Sequence, residues 1–250
     1  MTGHNRAGTA LLAVVLAGGA GASLKAQIPG MPLFTNPRYG TGLRIHADIG
    51  KLTGTQPVDQ RVLQAGVSLA IGPVGLNVNV GSNKSTIDAA NGCIATPTLS
   101  CASSTATASA LAQLRVWGGG RNNLSLSVFG GGSLTLDLGD ALASAGSGSP
   151  VLASNKELHI PVGAALGLHI PLGLGSLNLW GAPRFNLTRF VNCTGTCPAA
   201  PKSTFGWALG ADLPIFRVFS IRAAYDSHKV GTQTVNVIGA GASFGIGGMR

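Results

Sequence analysis

Apolar residues recur at every second position through most of this chain, and no apolar run beyond the N-terminal segment is long enough for a membrane-spanning helix. A period of two is strand periodicity, because successive side chains point to opposite faces of an extended backbone. The clearest case sets Leu43, Ile45, Ala47 and Ile49 against Gly42, Arg44, His46 and Asp48. Similar apolar faces follow at Leu63 to Ile71, Val74 to Val80, Ala110 to Val116 and Leu124 to Leu136. They continue at Leu158 to Ile170, Leu177 to Leu187, Phe205 to Leu213, Phe219 to Tyr225 and, least regularly, over 233–246. These segments predict ten strands, each about 11 to 14 residues long, against the ~9–11 that a tilted strand needs to cross hydrocarbon.

The connections alternate in length. Gly72-Pro73, Gly118 to Asn122, Pro171 to Gly175 and Pro214 to Phe216 read as tight turns. Longer links fall near 52–60, 84–106, 137–156 and 189–203, with a shorter one at 229–232. Short turns at one end and long loops at the other are the pattern of an up-and-down transmembrane barrel. The expected fold is therefore all-β, a ten-stranded antiparallel barrel with both termini at the short-turn end. The barrel's aromatics fall mostly at the two ends. Tyr39, Trp117, Phe216, Phe219 and Phe244 lie at the short-turn end, and Phe185, Phe190, Phe205 and Tyr225 at the other; Phe129 and Trp180 point inward. A soluble secreted β-sandwich is the competing architecture, but it would not need one set of tight turns and one of long loops.

Composition supports a lipid-facing exterior: 45% of residues are hydrophobic and 10% charged, where a soluble domain carries about 25% charged. Residues 1–26 read as a secretory signal peptide, with Arg6, an apolar run from Ala10 to Ala17 and small residues before the favoured cleavage site after Ala26. Residues 27–250 are then the barrel. Loss of Arg6 and Lys25 with the signal lowers the net charge from +9 to +7. No basic run interleaved with aromatics appears, so nucleic acid is not the expected partner. Outer-membrane lipids, including the phosphates of lipopolysaccharide, suit the expected outer rim of Lys51, Arg61, Lys84, Lys156, Arg189, Lys202 and Lys229.

The pattern over roughly residues 38–248 resembles the small outer-membrane β-barrel proteins of Gram-negative bacteria, the group that includes the OmpA-like transmembrane domains. That resemblance implies export to the outer membrane and insertion by the barrel-assembly machinery. Members of that group commonly end on a strand with a terminal aromatic, whereas this chain ends Phe244-Gly-Ile-Gly-Gly-Met-Arg250.

Alternation places Arg44, Arg115, Arg184 and Arg222 inward with Asp48, Asp212 and Asp226. Around them lie Gly66, Ala70, Gly163, Ala165, Gly167, Gly206, Ala208 and Gly210. Large and small residues paired in this way fill a narrow bore, so these charges line either a plug or a narrow, weakly anion-preferring pore. The hairpin registers implied by the turns put Arg222 beside Ala208 and Gly239. Cys93 with Cys101 and Cys193 with Cys197 are two local pairs in expected external loops, and in an exported chain such pairs suggest disulfides. No ligand-spaced His or carboxylate accompanies them, so no metal or other cofactor is expected.

The one candidate for catalysis is Asp226-Ser227-His228, with His159 on the sixth strand, and the Asp-x-His spacing is similar to that of the omptin surface proteases. No Asp-x-Asp partner occurs in the chain. A non-enzymatic envelope barrel is therefore the leading expectation. A barrel enzyme acting on lipid A or surface peptides is the alternative.

Overall fold

The computed structural model describes residues 31–38, 42–53, 58–87, 102–119, 122–137, 156–172, 175–192, 202–215, 218–230 and 233–246. Ten strands cover most of these: β1 (Gly42–Thr53), β2 (Val58–Ile71), β3 (Val74–Ile87), β4 (Ala102–Gly118) and β5 (Leu124–Asp137), then β6 (Lys156–Leu172), β7 (Gly175–Asn192), β8 (Lys202–Pro214), β9 (Phe219–Val230) and β10 (Gln233–Ile246). Each strand pairs antiparallel with its sequence neighbours, and β1 pairs with β10 to close the barrel. Closure leaves no free sheet edge, which is what permits a β-structure to stand in lipid. It also excludes a two-sheet sandwich.

The tight turns lie at one end. Gly72, with φ of 58°, opens the two-residue link from β2 to β3, where a positive φ matches the twist of the hairpin strands. Gly118, with φ of 79°, ends β4, and a Cβ there would run into the Leu124 carbonyl.

Several strands exceed the expected length: β4 and β6 have 17 residues and β7 has 18. At ~3.4 Å per residue these outreach the hydrocarbon, and pairing continues into what the sequence reads as loops. One register also differs from expectation. Arg222 lies opposite Asp212 and Gly241, not Ala208 and Gly239. Pairing of Val230 with Gln233 and of Pro214 with Ser220 fixes those hairpins, and because an error in a turn centre moves the partner by twice as much, the expected partners fall short by four positions on β8 and two on β10.

The two faces of the wall differ sharply. Outward positions are apolar and open: Ile49, Leu63 and Val80 are 61%, 60% and 61% exposed, and Ile45, Val67, Val78, Leu166, Leu209 and Ile238 continue the belt. An apolar surface this large marks a face that meets lipid rather than water. Inward positions hold the polar groups, including buried His46, Asp48, Gln64, Asn79, Arg184 and Asp226. Belt, strand number and closure make this an outer-membrane type of transmembrane barrel.

Candidate functional site

The lumen is filled in two ways. The first is local pairing of large with small residues across the sheet. Trp180 lies opposite Gly210, and Arg184 lies opposite both Gly163 and Gly206. His46 lies opposite Gly66, and Asp48 opposite Gly241. A Cβ built at Gly210 would collide with the Trp180 ring, and one at Gly241 with the Asp48 carboxylate. Glycine at these positions is space for the neighbouring side chain.

The second is residues 31–38, Met-Pro-Leu-Phe-Thr-Asn-Pro-Arg, which run inside the barrel ahead of β1. Two prolines keep the segment extended and remove two donors, so it does not add to the sheet. Its contacts climb the lumen in order. Arg38 Nη1 donates to the Asn122 carbonyl oxygen at the short-turn mouth, 2.5 Å away. Pro37 packs over Gly167, where a Cβ would sit 2.6 Å from its Cγ. Asn36 Nδ2 donates to Asp212 Oδ2 at 2.8 Å, and Gln113 Nε2 donates to the Asn36 carbonyl oxygen at 3.3 Å. The Phe34 ring lies 4.4 Å from the Arg222 guanidinium carbon, a cation–π geometry. Leu33 N–H donates to Asp226 Oδ2 at 3.1 Å, Pro32 approaches Gly239, and Met31 packs with Val62 toward the long-loop end.

Each charge picked out by alternation has a definite place. Asp226, fully buried, accepts from Arg184 Nη2 at 2.8 Å and from Leu33 N–H, with His228 Nδ1 at 3.0 Å from Oδ1. Arg184 Nε also donates to Asn186 Oδ1 at 2.8 Å. Asp212 accepts from Asn36 and from Trp180 Nε1, the latter at 3.0 Å. Asp48 accepts both Nε and Nη2 of Arg222, and Gln64 Nε2 at 3.0 Å. Arg44 lines a cavity near the short-turn mouth with Arg222 and Asp212. Arg115 sits at the mouth itself, where β4 shifts register, and donates to the Gly72 carbonyl oxygen at 3.2 Å. The inward charges thus meet one another and the inserted segment.

Small cavities remain among the described residues. A cavity of about 90 Å³ opens between Phe34, Asn36, Arg44, Asn77, Gln113 and Ser243. A second, about 20 Å³, lies above it between Met31, Phe34, Gln64, Asn79 and Ser109. Phe34, Asn77, Leu111 and Arg222 border both. Asn77 lines both cavities, and its buried Oδ1 has no hydrogen-bond partner among the described residues, which suits water.

Alternation identified the wall residues but not the inserted segment, which has no periodicity. The available signal was volume: inward Gly163, Ala165, Gly167, Gly206, Ala208 and Gly210 leave β6 and β8 with little of their own to fill a ten-stranded bore. Cys93, Cys101, Cys193 and Cys197 lie outside the described residues. Among the described residues no group of three or more His, Cys, Asp or Glu could hold a metal ion.

No family profile and no curated protein matches the chain. Several solved structures are similar to it. The β-domain of the Bordetella autotransporter BrkA is 13% identical, with 82% of this chain and 99% of that one covered and a TM-score of 0.47. The translocator domain of the autotransporter NalP from Neisseria meningitidis is 18% identical, with 81% and 88% covered and a TM-score of 0.47. Neisserial surface protein A is 9% identical, with 83% and 99% covered and a TM-score of 0.36.

Proposed function

We propose that this protein is a non-enzymatic structural barrel of the outer membrane whose lumen is closed by its own residues 31–38, leaving at most a narrow water-filled path. The observation that carries this reading is the double anchoring of the segment, at Leu33 by Asp226 and at Asn36 by Asp212. An extended segment held at two heights by carboxylates from β8 and β9 occupies the route a solute would take. Among small barrels the OmpA-like transmembrane domains are the group we place it beside.

The same geometry argues against Asp226 and His228 as a catalytic pair. Both Asp226 oxygens are engaged by Arg184 and Leu33, so the carboxylate has a structural task. What weak ion preference the path has should be anionic, since Arg38, Arg44 and Arg115 gather toward the short-turn mouth. We further propose that Cys93–Cys101 and Cys193–Cys197 are disulfides of external loops, and that lipopolysaccharide and the barrel-assembly machinery are partners.

Planar-bilayer recording of the purified full chain is the test. The expected result is little or no steady conductance, with a reversal potential in a salt gradient on the chloride side for any current seen. A large, cation-selective conductance would overturn the reading. So would hydrolysis of lipid A or peptide that is lost in folded His228→Ala protein.

A further inference from the structure

On the outer face of the wall, Lys51 lies directly opposite Arg61, and Arg61 directly opposite Lys84. All three are exposed and belong to the outward-facing set of β1, β2 and β3. Like charges facing each other across strands destabilise a sheet, so such a row calls for an anion. Asp59 supplies one carboxylate, with Oδ1 3.8 Å from Lys51 Nζ and Oδ2 3.2 Å from Arg61 Nη2. Three cations against one acid leave the row positive. Lys84 meets no carboxylate among the described residues.

The height of the row decides which anion it can meet. Below it the same three strands present four outward rows: Ile49, Leu63 and Ser82; Ala47, Ala65 and Val80; Ile45, Val67 and Val78; Leu43, Leu69 and Leu76. Lys51 lies eight positions beyond Leu43 on β1. At ~3.4 Å per residue and a tilt of ~40°, that is roughly 21 Å along the barrel axis, against an apolar band about 25 Å tall. The cations therefore stand at the upper edge of the hydrocarbon, at the depth of lipid headgroups. On the β10 side the row is flanked by Ile238, which is apolar and 52% exposed, and on the β4 side by Ser104. A ligand with phosphate at the row and acyl chains over Ile49, Leu63 and Val80 meets complementary chemistry along its whole length.

We infer that Lys51, Arg61 and Lys84 form an outward-facing site for the phosphate of an anionic lipid headgroup at the long-loop edge of the membrane. The inference rests on the membrane-spanning reading of the barrel. The test therefore scores insertion first and lipid retention second. Full-length protein is inserted into phosphatidylcholine vesicles containing a minor fraction of lipid A, extracted gently, and weighed by native mass spectrometry.

Wild-type protein should retain lipid A in preference to phosphatidylcholine. Lys51→Gln/Arg61→Gln/Lys84→Gln should retain at least tenfold less. Lys84→Gln alone, which breaks no ion pair, should lower retention at least twofold, so a folding defect in the triple variant leaves the test intact. Equal retention by the variants, or no preference over phosphatidylcholine in inserted wild-type protein, would overturn the site. Displacement of lipid A by inorganic phosphate alone would reassign it to the free anion and overturn the lipid. Failure of the wild type to insert would instead remove the membrane reading, and the site with it.

Discussion

The backbone N–H of Leu33 donates to the carboxylate of Asp226, joining the segment ahead of the first strand to the ninth strand inside the lumen. Asp226 is also the partner of Arg184, and the side chains of both are fully buried. One carboxylate thus neutralises a guanidinium and holds the inserted segment in place.

Removing it should be costly. Asp226→Ala leaves Arg184 buried beside an empty site, and loss of one partner of a buried ion pair typically costs about 3–5 kcal/mol. Urea titration of protein folded into vesicles should show a drop of that order, and Asp226→Asn should lose less because it still offers Leu33 an acceptor. A change under 1 kcal/mol in the alanine variant would mean that Arg184 has another route to neutrality.

Inward and outward faces were legible because they follow from alternation within one segment, and strand number and the turn end because they follow from the count of such segments and the lengths of the links between them. Leu43 to Ile49 shows this: its facing needs no knowledge of any neighbour. Partners across the wall were not legible to the same degree. Arg222 reaches Asp48 through the β1–β10 closure, and that pairing depends on the register of the β9–β10 hairpin and on that of the closing strand pair. The inserted segment was least legible, because Pro32 and Pro37 exclude ladder pairing and its residues meet wall groups scattered through the chain. The acids that a reading of the wall assigns to pore lining are partly sockets for that segment.

The pairing of Trp180 with Gly210 gives a second test. Gly210→Ala puts a methyl group where the indole lies, and overpacking of this kind costs about 1–3 kcal/mol. Rotation of the ring would also break the bond from Trp180 Nε1 to Asp212. Near-ultraviolet circular dichroism should report the moved indole. An unchanged spectrum with unchanged stability would refute the close fit.

The lipid-facing belt predicts an asymmetry between adjacent positions. Val67→Arg and Leu166→Arg place a charge in hydrocarbon and should each destabilise the folded barrel by about 2–4 kcal/mol. Ser68→Arg points inward toward the larger cavity and the imidazole of His46, and should cost less. Refolding into vesicles at a series of urea concentrations measures all three. Equal costs on the two faces would contradict the assignment of inside and outside.

Phe34, from the inserted segment, and Arg222, from β9, both border the two cavities. With Asn77 and Leu111 they line both the cavity of about 90 Å³ near the short-turn mouth and that of about 20 Å³ above it. Phe34→Ala removes the ring while leaving both anchors of the segment, at Asp226 and Asp212, in place. The two spaces should then merge along the polar wall of Asn77, Asn79 and Ser109, and single-channel recording should show a measurable conductance where the unmodified protein has little. Arg222→Ala should act in the same direction but also releases Asp48 from its guanidinium, so its current should be less anion-selective than that of Phe34→Ala. If Phe34→Ala leaves the membrane as tight as wild type while deletion of residues 31–38 opens it, the seal lies elsewhere along the segment, with Leu33 and the cluster of Leu111, Phe129 and Trp180 around it.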